Sequence, residues 1–208
     1  MLLPSQLDIL ALCFRLRYTR NNIINNLPTF FNYIQEQILP HVPNAIDKMS
    51  SFQHLVYTKT ASIDLSEISL ENIFIETYGG LFLSGYIPEE LNDFPKKYPD
   101  LFIQCIQDPS KIQINSISRE ALDEQLSSIN NMPDEDKRFI QEHFSNNLMS
   151  QNAIKDFICS NIPSSKMLFS QWNDTSLKHL TLTSVGIVLG ANRCKQISGT
   201  TFDMNIWI

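Results

Sequence analysis

The sequence predicts a mainly α-helical fold: a helical bundle, then a smaller helical unit that ends in a short C-terminal antiparallel sheet. Three observations predict it. Apolar residues recur at three- and four-residue spacing through most of the 208-residue chain. Ser, Thr, Asn and Pro stand where those runs begin, as helix starts require. Only the closing segment, from Lys166 onward, alternates apolar and polar residues as half-buried strands do.

From Ser5 to Arg20, Leu7, Leu10, Phe14 and Tyr18 form one stripe and Ile9, Leu12 and Leu16 a second, so this helix is apolar around most of its circumference and is expected to be buried. Ile23 to Leu39 forms a second helix that Pro28 kinks or restarts. After Pro40 and Pro43, a third is expected from an Asn44 cap to Tyr57. Ser69 opens a fourth, whose broad apolar face of Ile73, Phe74, Tyr78, Leu81 and Phe82 is interrupted by Gly79 and Gly80. Ile87 to Pro99 holds three prolines, reads as turns or a surface loop and is one candidate boundary, and the Asp108-Pro109 turn is the second. Beyond it, Ser118 is expected to cap one helix, Pro133 with three acids begins another, and a further helix ends near Pro163.

The closing segment is expected to form a hairpin. Met167 to Trp172 is one strand, Asn173 to Ser176 the turn and Leu177 to Leu182 the other strand. Thr183 or Ser184 then caps a helix running to about Gln196, Ser198-Gly199 ends it, and Phe202, Met204, Ile206 and Ile208 alternate as a last strand. The expected division is a bundle over residues 1–110 and a second unit over 111–208. The expected core includes Leu10, Phe14, Phe31, Phe74, Phe82, Phe102, Phe157, Leu182 and Ile187.

With 43% hydrophobic residues the chain can fill a sizeable core. A net charge of -6, with the Lys and Arg residues scattered, disfavours nucleic acid and anionic membrane as partners. The densest basic run, Arg15, Arg17 and Arg20, reads as cations offsetting the dipole of the first helix. Cys13, Cys105, Cys159 and Cys194 lie far apart among apolar neighbours, as core thiols do in a reducing compartment. No signal-peptide pattern opens the chain, and no run approaches the roughly 18 apolar residues of a spanning helix. A cytoplasmic protein with no membrane partner is therefore expected.

Chemistry-bearing motifs are few. His41, His54, His143 and His179 show neither His-x-x-x-His nor a Cys at ligand spacing, so no metal and no cofactor is expected. Gly79-Gly80 lacks the preceding strand and following Lys-Ser/Thr of a phosphate loop, which leaves close packing or a helix end, with a contact surface as the functional alternative. "RFIQEH" resembles the Arg-x4-His motif of the all-helical dimeric ribonucleases, and that resemblance implies Arg138 and His143 as catalytic residues meeting across two subunits. Phe139 stands where that family has a polar residue.

Two helices, a hairpin and "LTLTSVGIVLG" resemble a winged helix, which implies Asn152 to Ile162 as a recognition helix; its single cation, Lys155, faces an adjacent Asp156. "LTLTSVGIVLGANRCKQISGTTFDMNIWI", with "QLDILALCFRLRYT" near the start, resembles bacterial proteins of abortive-infection and phage-defence type that finish with a Leu-Thr-x-x-Gly helix start and a short apolar tail. The resemblance implies a bacterial defence setting and carries over no catalytic residue. The reading as a whole is a non-enzymatic interaction or regulatory module that binds a protein partner or itself, with Trp207, Gly79 and Gly80 as contact candidates. The alternatives are a winged-helix DNA-binding regulator and the dimeric ribonuclease.

Overall fold

The computed structural model describes residues 1–45 and 48–206. It is mainly helical, as expected. In chain order the elements are α1 (Pro4–Cys13), α2 (Leu27–Tyr33), α3 (Met49–Tyr57), β1 (Ala61–Ile63), α4 (Leu70–Tyr78), α5 (Phe94–Lys97), β2 (Phe102–Gln104), β3 (Ile112–Ile114), α6 (Arg119–Ser128), α7 (Asp134–Asn146), α8 (Gln151–Asn161), α9 (Ser165–Asn173), β4 (Leu180–Leu182) and α10 (Ser184–Ser198). Wider π-helical turns follow α1 over Phe14–Tyr18 and α2 over Ile34–Ile38. The chain divides into one unit of residues 1–23, 28–73 and 155–208 and a second of 24–27 and 74–154. Residue 110, the expected boundary, falls inside the second unit, because the C-terminal helices pack with the N-terminal ones.

In the first unit, α1 begins with Pro4 in its first turn and with the Gln6 side chain accepting from the Leu3 N–H at 3.0 Å. Every residue from Ile9 to Phe14 is buried, as its apolar circumference predicts. α10 is capped by the Thr183 hydroxyl, which accepts from the Gly186 N–H at 3.2 Å, and ends at Gly199. Gly190 lets it come close to α1: a Cβ there would lie 2.7 Å from the Leu10 carbonyl oxygen and 2.9 Å from Phe14 Cβ. Asn44 does not cap α3; it lies in a 3-10 turn over Leu39–Asn44, and α3 starts at Met49.

The expected C-terminal hairpin is not formed. Met167 to Trp172 belongs to α9, whose Ser165, Leu168, Phe169 and Trp172 are buried at helical spacing. The Trp172 indole donates to the Ile68 carbonyl at 2.9 Å, which fixes that helix at its C-terminal end. β4 pairs instead with β1, antiparallel, with Ser62 opposite Thr181. Its other edge is satisfied by α1 and the turn after it: Cys13 Sγ and Arg17 donate to the Leu180 carbonyl, and the Tyr18 hydroxyl accepts from the Leu182 N–H at 2.8 Å. Those side chains occupy the place of the expected third strand. Met204–Ile206 is a 3-10 turn, and Trp207 and Ile208 lie outside the described residues. The strand-to-helix switch at Thr183 is present as expected.

The second unit is built around Leu83, Leu101, Ile114, Leu122, Leu126, Met132, Ile140 and Phe144. Ser118 caps α6 through the Ala121 N–H at 3.2 Å, and Asp134, Glu135 and Asp136 fill the first turn of α7, both as expected. β2 and β3 are antiparallel, Phe102 opposite Ile114, so Asp108-Pro109 is the turn of a hairpin and not a boundary. Asp108 accepts from Ser110 and Lys111 there. Of the expected core, Leu10, Phe14, Phe74, Phe82, Leu182 and Ile187 are buried, whereas Phe31, Phe102 and Phe157 are half-buried.

Candidate functional site

Arg138 and His143 both lie on α7, and five residues of α-helix turn the chain by about 140° from a shared face. The structure therefore does not bring them together within one chain. Arg138 is exposed. The His143 ring is held by packing: it stacks on Phe139 with centroids 3.8 Å apart, lies 5.3 Å from Tyr86, and its Nδ1 donates to the Phe139 carbonyl at 2.8 Å. The Phe139 that departs from the ribonuclease pattern is thus what positions the histidine.

Gly79 and Gly80 are buried and form no contact surface. α4 ends at Tyr78, and the Gly80 N–H donates to the Ile117 carbonyl at 2.9 Å while the Gln113 amide donates to the Gly80 carbonyl at 2.9 Å. A Cβ on Gly80 would sit 1.8 Å from the Ser116 carbonyl oxygen, so close packing explains the pair. The third contact candidate, Trp207, lies outside the described residues.

The polar groups that do converge are in the first unit. Asp8, Ala11 and Arg15 follow one another at i, i+3 and i+7 along one buried face of α1 and the turn after it. Asp8 is fully buried, and Arg193 of α10 grips it with Nε 2.8 Å from Oδ1 and Nη2 3.0 Å from Oδ2. His41 Nδ1 lies 3.0 Å from the same Oδ1. Burial pushes the Asp8 carboxyl up, but the hydrogen bonds from His41 and Arg193, with their charges, overcome it and hold the group below the ordinary aspartate value. The His41 Nε2 is buried and has no partner among the described residues. Midway along the face, Cys194 Sγ lies 3.8 Å from the Ala11 carbonyl, and burial pushes its thiol up to about 11. This thiol is no nucleophile at neutral pH.

At the far end, Arg15 is only 3% exposed. Its Nη2 donates to Gln37 Oε1 and, at 3.0 Å, to Thr200 Oγ1, and its guanidinium lies 5.6 Å from the Tyr33 ring and 4.9 Å from the Phe202 ring. Arg15 and Gln37 thus join the two π-helical turns, a helix type that often marks functional positions. Arg15 lies in the last turn, where a cation offsets the helix dipole, and is buried there. A signal was present in the sequence: Asp8 and Arg15, seven residues apart in an otherwise apolar helix, share a face that must be buried.

A second feature is exposed. Met49, Val56, Tyr57, Ile63 and Leu65, along α3, β1 and the residues just after it, leave large apolar surface in solvent, with Tyr57 at 84% and Leu65 at 104% of full exposure. Beside it, Lys178 Nζ lies 2.8 Å and His179 Nε2 3.7 Å from Glu67 Oε2. A cavity of about 330 Å³ is lined by Met49, Thr175, Lys178 and His179.

Fold and site define a mainly helical protein with a charged seam inside one unit and an apolar outer face on the same unit. A family model described only as ":-like" matches residues 1–208, and the chain belongs to that family, whose description names no activity. No curated protein and no solved structure matches the chain. Among the described residues, no helix is long and apolar enough to cross a membrane, and no three His, Cys, Asp or Glu side chains are placed to hold a metal ion.

Proposed function

We propose that the chain is a non-enzymatic protein-interaction module that docks a protein partner through the α3–β1 face, in the bacterial cytoplasm and in a phage-defence or stress setting. The observation that carries the reading is the run of Met49, Val56, Tyr57, Ile63 and Leu65, five large apolar side chains exposed within one short stretch beside the charged group of Lys178, Glu67 and His179. An apolar patch with a charged rim is the usual anatomy of a docking surface. The setting draws on the resemblance of the closing segment to phage-defence proteins, and the four buried free thiols agree with a reducing compartment. The winged-helix reading gains the β4-to-α10 connection, but the one lysine of α8, Lys155, lies 6.0 Å from the Phe169 ring.

Photo-crosslinking residues placed at 57, at 65 and, as a control, at Glu124 on α6 test the proposal in cells. Adducts of defined mass are expected at 57 and 65, absent at 124 and suppressed by excess unmodified protein. Identical adducts at all three positions, or none, would overturn it. Nucleic acid that co-purifies at about 0.1 M salt and is lost at high salt would favour the winged-helix alternative.

A further inference from the structure

Two guanidiniums reach the buried face of α1 and end differently. Arg193 presents one edge, Nε and Nη2, to both oxygens of Asp8. Arg15 loads only half of the same edge: Nη2 is shared between two neutral oxygens, Gln37 Oε1 and Thr200 Oγ1, and Nε, though buried, has no partner among the described residues. No carboxylate pairs with Arg15 among the described residues either. A cation withdrawn from water without an anion is strongly unfavourable, so this edge is electrostatically incomplete.

What covers Arg15 is a segment outside the helices. Thr200 gives it a hydroxyl and Phe202 a ring, and the Phe202 ring also meets Phe14 edge-on at 4.9 Å. Thr200 and Phe202 are half-buried, whereas Thr201 and Asp203 are exposed. Among the described residues the backbone of 200–205 makes no hydrogen bond to α1 or α10, so side chains alone hold the segment down. The Ser198 hydroxyl stands 3.0 Å from that of Thr200 and donates to the Cys194 carbonyl at 2.9 Å.

We propose that Arg15 anchors a binding site for a phosphate group, covered by residues 200–205 as a strap. A phosphate on the open edge takes Nε and Nη2 together, as Asp8 takes those of Arg193. Its remaining oxygens accept from the Thr200 hydroxyl and from the Ser198 hydroxyl, which leaves the Cys194 carbonyl to do so, and the Gln37 amide turns to donate. A carboxylate would be filled by the fork alone and leave the hydroxyls unused, which is why the geometry points to phosphate. Lifting Phe202 opens the site.

The test follows the Arg15 and Arg193 Nε–H resonances of the full chain, wild type and Phe202→Ala, while inorganic phosphate is added at constant ionic strength, with acetate in a parallel series. The expected result is a saturable shift of the Arg15 signal with phosphate, at least several-fold tighter in Phe202→Ala, while Arg193 stays still. Movement of both signals, of neither, or with acetate but not phosphate overturns the proposal. Thermal unfolding adds a second readout: phosphate should raise the Tm of Phe202→Ala, and an unchanged rise in Phe202→Ala/Arg15→Lys would contradict the site.

Discussion

The cores of the two units are held by different chemistry. The core of the second unit, Leu83 through Phe144, is apolar, and the polar side chains buried in that unit, Gln113 and Ser118, carry no charge. The first buries a larger apolar set but runs a polar seam through it, with Asp8, His41 and Arg15 each at 3% exposure or less. An apolar core tolerates a small loss anywhere in proportion to the cavity left behind. The hydrogen-bonded group of Asp8, Arg193 and His41 fails as a unit, because removing Asp8 strands the other two.

The largest effect that separates the two is expected from Asp8→Ala. It leaves Arg193 and His41 without their shared acceptor inside the first unit, and about 3–5 kcal/mol of stability should be lost, read as a fall in the urea midpoint. An effect below that of a single buried methyl group would erase the distinction. Leu126→Ala, in the apolar core of the second unit, should cost roughly 2–5 kcal/mol, scaling with the cavity created. Hydrogen exchange should place the loss in α6 and α7, while Asp8→Ala acts on α1 and α10.

Gly190→Ala is next, about 1–3 kcal/mol by overpacking, since the new methyl meets the Leu10 carbonyl and Phe14. A neutral result would mean that α1 and α10 can separate without cost. The smallest change is expected from Arg138→Ala, within about 0.5 kcal/mol of wild type, because the side chain is exposed. His143→Ala should cost more than Arg138→Ala in thermal melts, because its ring packs on Phe139 and Tyr86. Equal effects would argue against the packing role.

The range of the contacts that specify each element decided what was legible in the sequence. Elements specified by near neighbours were readable: the Thr183 cap and Gly199 end of α10, the acids of α7, the Ser118 cap and the all-round burial of α1. Elements decided by distant partners were not. Six residues from Met167 to Trp172 fit a strand or a helix, and what selects the helix is burial of Leu168, Phe169 and Trp172 within the first unit, with the indole reaching back to Ile68. β4 takes its partner, β1, from across most of the chain, and helix side chains close its other edge.

The seam lies between these cases. Its α1 half was visible as Asp8 and Arg15 on one face of an apolar helix. Its other half, His41 and Arg193, comes from a 3-10 turn and a helix surface that carry no motif. Gly79-Gly80 shows the converse: a conspicuous pair explained by the backbone it packs against.

Arg193 and His41 keep an ionised carboxylate inside the first unit, and pH titration of the Asp8 side-chain carbon by NMR measures this directly. A carboxyl lowered by its partners contributes stability that is present above its unfolded value and lost as pH falls through the folded one. Asp8 is therefore predicted to titrate below the ordinary 3.8, with stability falling as pH drops from that value through the lowered one. Titration at or above 3.8 would mean that Asp8 is not held by the pair, and the account of the first unit's core would be wrong.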